Sequence, residues 1–256
     1  MTKIAIMNQK GGVGKTTTTL NLSAAIHRNG GNPIIMDIDP QGHLTSIYPD
    51  APKDSKETAW SFFNNHTPLK QLMNEWDHVG KFISSHNELI KVETKFGNGP
   101  SIVFRLRDAF NALETTDPNI DLLLDCPPNI GVLTLNAIFA ADLVIIPISS
   151  DFLSFNGAKK IAHTLKALEV VTKKRIKRLY LLTRYDKRRK MSDQVMRMAR
   201  AEFGDDVCDI IINENVALSK SAHDKQDIFT YSPKSTGAAN YLALYHYIMA
   251  RNWAEA

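Results

Sequence analysis

A short stretch near the start of the chain combines glycines, lysines and threonines at a spacing that suits the binding of phosphate groups. It reads Lys10-Gly11-Gly12-Val13-Gly14-Lys15-Thr16-Thr17. Glycines let backbone N–H groups converge on an anion without Cβ clashes, and the N-terminus of a following helix adds free donors. Lys15 provides a cation for the β- and γ-phosphates, and the Thr16 hydroxyl suits Mg²⁺. The stretch therefore predicts a phosphate-binding loop, with a glycine-rich turn that binds no ligand as the alternative.

Lys10 is a second lysine that such a loop does not require. A side chain at the start of the loop points away from the phosphates that the loop backbone surrounds. We therefore interpret Lys10 as a residue that reaches the nucleotide of a second subunit. The alternative is an exposed lysine without a role.

Acidic residues end two further apolar runs, residues 32–39 and 119–125. The first run ends in Asp37 and Asp39, and the second ends in Asp125. Because the carboxyl ends of parallel strands meet at one ligand crevice, we expect these aspartates beside the phosphate-binding loop. An aspartate on a second strand is where nucleotidases of this type hold Mg²⁺. The alternative for Asp37 and Asp39 is a pair of solvated acids.

Positive charge is concentrated in one part of this 256-residue chain, whose net charge is +4. Residues 170–200 contain twelve Lys or Arg and only Asp186 and Asp193 as acids, so they carry +10 and the remainder carries −6. A local positive field on a mildly acidic body indicates a polyanionic partner. The alternative is a solvated charged face.

Composition excludes several classes of protein. A hydrophobic content of 43% with 23% charged residues is ordinary for a globular protein. We expect no secretory signal peptide, and no apolar run approaches the roughly 20 residues of a membrane span. Cys126 and Cys208 form neither a metal-ligand spacing nor a disulfide framework, which favours a reducing cytoplasm.

Apolar periodicity predicts strands that alternate with helices. The predicted strands are 3–8, 32–39, 82–85, 119–125, 143–148, 178–183 and 207–212. The predicted helices are 18–27, 59–63, 69–73, 102–113, 133–140, 157–172, 193–203 and 237–251. This alternation predicts an α/β fold in which one mostly parallel, twisted sheet is covered by helices on both faces, in a single domain over residues 1–256.

The motifs together resemble the ParA/MinD family of deviant Walker A ATPases, and most of all its ParA/Soj partition ATPases. Residues 10–17 resemble the deviant Walker A loop, residues 37–42 resemble switch I, and residues 122–128 resemble Walker B and switch II. Further similarity runs through residues 133–137, 183–186, 215–219 and 237–241. The resemblance covers nearly the whole chain and implies the three-layer fold of P-loop nucleotidases.

The resemblance implies ATP and Mg²⁺ as cofactors. The residues implied to contact ATP are Lys10, Gly11, Gly12, Val13, Gly14, Lys15, Thr16, Thr17, Thr183, Arg184, Asn213 and Asn215. The last four of these are implied to form the adenine pocket.

The resemblance also implies roles in hydrolysis. Lys10, Lys15 and Asp39 are implied to be catalytic, because Lys10 crosses a dimer interface to the partner's nucleotide, Lys15 binds phosphate and Asp39 positions the attacking water. The residues implied to hold or surround the metal are Thr16, Asp39 and Asp125.

One segment departs from the family pattern in a way that bears on DNA binding. Residues 213–218 read Asn-Glu-Asn-Val-Ala-Leu, where the family usually has Pro-Arg-Asn-Val-Arg-Leu. Glu214 and Ala217 thus replace two arginines, and the second of these contacts DNA in relatives. We expect DNA binding that is weaker or is carried by another cluster. The cluster consists of Lys187, Arg188, Arg189 and Lys190.

The resemblance implies an ATPase that forms a nucleotide-sandwich homodimer, binds DNA non-specifically and positions a plasmid, chromosome or other cargo. A partner protein, ParB-like or a cargo adaptor, would stimulate hydrolysis, and the protein would be cytoplasmic and associated with the nucleoid. One alternative is a MinD-like membrane-associated ATPase, which needs a basic amphipathic C-terminal helix, whereas residues 250–256 are nearly uncharged. Another is a metabolic ATP-dependent ligase on the same fold, such as dethiobiotin synthetase. A nitrogenase iron-protein type of reductase fits poorly, because Cys126 and Cys208 are not placed as cluster ligands.

Overall fold

One sheet of seven strands organises the computed structural model, which describes residues 2–96, 100–251 and 253. The strands are β1 (Lys3–Ile6), β2 (Asn32–Asp37), β3 (Asn74–Trp76), β4 (Gly80–Ile83), β5 (Ile120–Asp125), β6 (Leu143–Ser149) and β7 (Arg178–Thr183). Their order across the sheet is β3-β4-β2-β5-β1-β6-β7. All neighbours pair in parallel except β3, which is antiparallel to β4 at one edge. The predicted α/β class and the mostly parallel sheet are confirmed.

Helices connect the strands. They are α1 (Lys15–Arg28), α2 (His43–Ile47), α3 (Ala59–Asn65), α4 (Leu69–Leu72), α5 (Lys91–Phe96), α6 (Arg105–Glu114), α7 (Val132–Ala140), α8 (Phe152–Thr172), α9 (Lys190–Phe203), α10 (Val216–His223), α11 (Ile228–Tyr231) and α12 (Thr236–Met249). Short 3₁₀ segments occupy Ser55–Glu57, Asn87–Ile90, Pro100–Phe104 and Gly204–Asp206.

Each face of the sheet has its own hydrophobic core. Alternate residues of a strand point to opposite faces, so Leu122 and Leu124 of β5 pack into one core while Leu123 packs into the other. The first core includes residues of α6, α7, α8 and α9, and the second includes residues of α1, α10 and α12. Burial on both sides explains why the central strands are continuous apolar runs in the sequence.

The register of the parallel strands brings the functional residues to one edge of the sheet. Ile6 at the end of β1 and Asp37 at the end of β2 are both aligned with Asp125 at the end of β5. The loop between β1 and α1 leaves this same edge. The carboxyl ends of three neighbouring strands therefore frame one crevice, as expected for an open parallel sheet.

Some sequence predictions were wrong. Residues 207–212 are not a strand, since among the described residues this part of the chain makes only the isolated bridges Tyr180–Val207 and Tyr185–Asn213. The helix predicted from residue 157 begins at Phe152, after an Asp151 side chain that accepts a hydrogen bond from the Ser154 N–H. The sequence did not predict β3, α2, α5, α10 or α11.

Candidate nucleotide-binding site

The loop between β1 and α1 has the backbone geometry of a phosphate-binding loop. Gly12 and Gly14 have φ angles of 75° and 91°, a region that side chains disfavour, and Gly14 immediately precedes α1. Val13 is buried, and its carbonyl oxygen accepts a hydrogen bond from the Thr183 hydroxyl at 2.8 Å. The loop is thus anchored to the end of β7, and the free N–H groups of the α1 N-terminus face the crevice.

Lys15, Thr16 and Asp125 come together at the start of α1. The Lys15 side chain is mostly buried, and its Nζ lies 3.5 Å from the Lys10 carbonyl oxygen. The Thr16 hydroxyl donates to Asp125 Oδ2 at 2.7 Å, and the Thr19 hydroxyl lies 3.5 Å from the other carboxylate oxygen. A hydroxyl and a carboxylate beside a phosphate-binding loop are the hard oxygen donors that Mg²⁺ prefers, so these residues fit a magnesium ion.

Burial controls the protonation of Asp125. Desolvation raises the pKa of Asp125, as does the charge of the nearby Asp39, while the hydrogen bond from Thr16 and the charge of Lys15 lower it; the net pKa is about 7. A bound cation would favour the ionised form.

The two aspartates that follow β2 occupy different environments. Asp37 is fully buried, and its carboxylate accepts hydrogen bonds from the Asp39 N–H and from the N–H and hydroxyl of Thr45. Burial, together with the charge of Asp125, raises the pKa of Asp37 well above its usual value. Asp39 instead lines the crevice, and its Oδ1 accepts the Gln41 N–H at 3.0 Å. Of the two, only Asp39 faces the space that a ligand would occupy.

The crevice is a cavity of about 660 Å³. Its walls include all four residues expected at the adenine pocket, namely Thr183, Arg184, Asn213 and Asn215. Sequence reasoning missed one wall formed by α2 and another formed by α10. Cavity-lining residues on these two helices are His43, Ser46, Ile47, Leu218, Ser219, Ala222 and His223. Both helices are too short to give a clear periodicity.

Lys10 lies on the other side of the loop. It does not line the 660 Å³ cavity but borders a second cavity of about 600 Å³, together with Leu153, Asn156 and Lys160 of α8. Its N–H donates to Asn8 Oδ1 at 3.0 Å, and the Asn8 amide donates to the Pro147 carbonyl at 2.7 Å. The loop is thereby fixed with the Lys10 side chain outside the nucleotide crevice of its own chain.

The predicted DNA-binding cations, residues 187–190, are exposed and lie where the turn after β7 enters α9, whose first residue is Lys190; we term these four residues the basic turn. Arg188 makes two hydrogen bonds of 2.9 Å to the Asp186 carboxylate, and Arg189 Nε lies 3.5 Å from the same carboxylate. The bond from Arg188 lowers the pKa of Asp186 to about 2. Lys187 and Lys190 form no ion pair with any described residue, so they are the unpaired cations of the turn.

The positive segment of the sequence is not one surface. Residues 173–177 precede β7 and residues 187–190 follow it, so the two groups lie at opposite ends of this strand. Near the first group, Arg175 pairs with Asp206 at 2.8 Å and Arg178 pairs with Glu169. The twelve cations of residues 170–200 therefore do not form one continuous surface, and the predicted polyanionic partner stays a prediction.

Comparisons with known proteins agree with this site. Residues 1–178 match a family model described as an AAA domain. The chain is 33% identical over 250 residues to the chromosome partitioning protein ParA of Caulobacter vibrioides, covering 97% of this chain and 94% of that protein. It is 33% identical to the sporulation initiation inhibitor protein Soj of Bacillus subtilis, covering 94% of this chain and 95% of Soj. It also matches a crystal structure of cobyrinic acid a,c-diamide synthase from Mycobacterium smegmatis with bound ADP and magnesium, with a TM-score of 0.82, 26% identity, and coverage of 98% of this chain and 97% of that one.

Proposed function

The chain belongs to the ParA/Soj family of P-loop ATPases, with ATP and Mg²⁺ as its cofactors, and we propose that it dimerises around two ATP molecules to bind DNA and position a cargo. One observation carries the catalytic part of this proposal. The mostly buried Lys15, Thr16 and Asp39 border one cavity at the N-terminus of α1, and the Asp125 carboxylate lies directly behind Thr16, from whose hydroxyl it accepts a hydrogen bond.

The proposed hydrolysis uses few groups. Backbone N–H groups of residues 11–14 and the Lys15 ammonium bind the phosphates, while Thr16 and Asp125 hold Mg²⁺. When bound, this ion neutralises charge that develops on the phosphate oxygens. Asp39 orients the attacking water through its Oδ2, which has no hydrogen bond to another described residue. We expect slow turnover, because Asp39 orients the water instead of supplying a strong general base, and slow turnover suits a switch rather than a metabolic enzyme.

The surface around Lys10 supports the proposed dimer. Lys10 points away from the nucleotide crevice of its own chain, so a phosphate contact requires a second copy. Phe152 and Leu153, at the start of α8, are 54% and 64% exposed, and Leu153 borders the same cavity as Lys10. Exposed apolar side chains beside a cation are typical of a surface that another chain covers.

Light scattering tests the dimer. We expect a monomer without nucleotide and a dimer with ATP and Mg²⁺ for the wild-type chain. Lys10→Ala should bind ATP normally and remain monomeric, because its own crevice is intact. Lys53→Ala removes the same charge from an exposed position and should dimerise normally. A Lys10→Ala variant that dimerises and hydrolyses ATP like wild type excludes the proposed contact.

The basic turn supports binding to DNA without sequence preference. Four adjacent exposed cations can contact phosphates, and among the described residues around them no helix-turn-helix arrangement offers base readout. Two turns in one dimer act together, so binding should require ATP. Association with the nucleoid would follow, and a ParB-like protein or cargo adaptor would stimulate hydrolysis and release.

Two other functions would give different results when the protein is titrated with DNA. The match to a cobyrinic acid a,c-diamide synthase supports a ligase, which would hydrolyse ATP only with a metabolic co-substrate and would ignore DNA. A membrane-associated ATPase would bind anionic vesicles instead. In the described part of the chain no helix has the length and apolar character to cross a membrane, and tail residues 252 and 254–256 lie outside the described residues.

A further inference from the structure

Asp39 is held by its backbone as well as by its side chain. Its carbonyl oxygen accepts two hydrogen bonds, one from the Gly42 N–H at 2.9 Å and one from the Ser85 hydroxyl at 2.5 Å. Ser85 belongs to none of the motifs that identify the nucleotide site. It lies two residues after the end of β4, and the parallel pairing of Met36 in β2 with Ile83 in β4 brings it to the switch.

Ser85 also contacts the far end of the same segment. Its backbone N–H donates to the Thr45 hydroxyl oxygen at 2.8 Å. The Thr45 hydroxyl in turn donates to Asp37 Oδ2 at 2.8 Å, and Asp37 Oδ1 accepts the Asp39 N–H at 3.1 Å. These bonds close a ring through Asp37, Thr45, Ser85 and Asp39. Residues 39–45, which begin with the proposed water-orienting Asp39, are therefore hydrogen-bonded at both ends to one serine.

We propose that Ser85 is a positioning residue for ATP hydrolysis that fixes the backbone of Asp39 from the neighbouring strand. The inference rests on the proposed role of Asp39. Ser85 is nearly fully buried and does not line the nucleotide cavity, so it touches neither phosphate nor water. Its hydroxyl limits the movement of the Asp39 main chain, and a misplaced carboxylate lowers the rate of the chemical step without weakening ATP binding.

The neighbouring residue supplies a matched control. Ser84 is also buried, but its hydroxyl has no hydrogen-bond partner among the described residues. Ser85→Ala and Ser84→Ala thus remove the same atom from adjacent buried positions. Only the first removes a bond to Asp39.

Steady-state hydrolysis with ATP titration tests the proposal. We expect Ser85→Ala to lower kcat about three- to tenfold, the effect of one lost hydrogen bond, with an unchanged KM and unchanged ATP affinity. Ser84→Ala should match wild type. Ser85→Cys, which keeps the volume but is a weak donor, should behave like Ser85→Ala and serves if the alanine variant does not fold. A wild-type kcat for Ser85→Ala or Ser85→Cys would overturn the inference.

A double-mutant cycle separates this inference from the proposed function. If Ser85 acts through Asp39, adding Ser85→Ala to Asp39→Ala should cause no further loss of kcat. An equal loss in both backgrounds overturns the positioning role while leaving Asp39 in place. If Asp39→Ala alone hydrolyses ATP like wild type, the proposed role of Asp39 itself fails.

Discussion

The pairing of cations within the basic turn predicts which of them bind DNA. Lys187 and Lys190 are exposed and unpaired in the described structure, whereas Arg188 and Arg189 share the Asp186 carboxylate. A cation that is already paired with a carboxylate gains less binding free energy from a contact with a DNA phosphate. Such a contact also neutralises less of the phosphate charge, so fewer counterions leave the DNA and the salt dependence is weaker. We therefore expect Lys187→Ala/Lys190→Ala to change the salt dependence of binding more than Arg188→Ala/Arg189→Ala does.

The size of this effect follows from counterion release. Each phosphate contact adds about 0.9 to the slope of log affinity against log salt. Two lysines in each protomer make four in a dimer, so the lysine variant should flatten the slope by about 3.6. Between 50 and 200 mM salt, wild type should then lose about 150-fold more affinity than the variant, if every lysine contacts a phosphate.

The assay is a titration of a labelled duplex with protein, ATP and Mg²⁺ at several salt concentrations. Lys173→Ala/Lys174→Ala is the matched control, because it removes the same charge from the other end of β7. Six strand residues put that group roughly 20 Å away, about two Debye lengths at 0.1 M salt. The control should keep the wild-type slope. If both double-lysine variants reduce the slope of log affinity against log salt equally, the DNA site is not confined to the basic turn. If wild type itself has a slope near zero, the protein does not bind DNA.

Three further predictions concern the nucleotide site and its support. Asp39→Ala should bind ATP normally yet hydrolyse it at least about 100-fold more slowly, and a wild-type rate of hydrolysis would contradict this prediction. Lys15→Ala should instead lose affinity for ATP. The pKa of Asp125 is about 7, above its unfolded value of 3.8, so the folded state keeps a proton that the unfolded chain releases. The free energy of unfolding of the nucleotide-free chain should therefore fall as pH rises from about 4 to about 7, and Asp125→Asn should reduce this slope in denaturant titrations by about 1.4 kcal/mol per pH unit. A Cβ at Gly157 would lie 2.4 Å from Asn8 Oδ1, so Gly157→Ala should cost about 1–3 kcal/mol of stability by urea titration, and a wild-type midpoint would show that Asn8 moves aside without cost.

The sequence predicts the centre of the site well, for a physical reason. Buried parallel strands are continuous apolar runs, and their carboxyl ends must share one edge of the sheet. The position of Asp125 beside Thr16 follows from that rule and from the glycine pattern of the loop. Asp37 shows that the end of a strand does not by itself determine whether a side chain reaches the crevice. The pattern placed it with Asp39 at the crevice, but only three-dimensional contacts reveal that it is buried as an acceptor for Thr45 and Asp39.

The sequence predicts the rim of the site poorly. Residues 207–212 look like a buried strand, yet only two N–H groups of this run, those of Cys208 and Ile212, donate to carbonyls of β7. Asp209 between them is exposed, so the chain touches the sheet edge without forming a continuous ladder. An apolar run cannot distinguish these two cases. The sequence likewise gave no sign of Ser85, because its proposed role depends on a hydrogen bond to Asp39, 46 residues earlier in the chain.

The division of the positive segment could have been foreseen. The sequence already predicted a strand at residues 178–183, in the middle of the twelve cations. A strand of six residues is rigid and extended, so groups before and after it cannot form one patch. Summing charge along a segment is informative only within one turn or one face of an element.

The end of β7 joins the phosphate-binding loop to the basic turn. Thr183 bonds to the Val13 carbonyl of the loop, and Arg184 Nη1 lies 3.4 Å from the Gly12 carbonyl. Only two residues follow before the basic turn begins. Glu214 stands where the family pattern has an arginine, and it pairs with Arg184 at 3.1 Å. The acid therefore contacts this junction, and the positive charge of the family arginine is missing. Because Ala217 also lacks the charge of the family pattern, the positive charge that we propose to bind DNA is concentrated in residues 187–190, a few residues from the proposed nucleotide site.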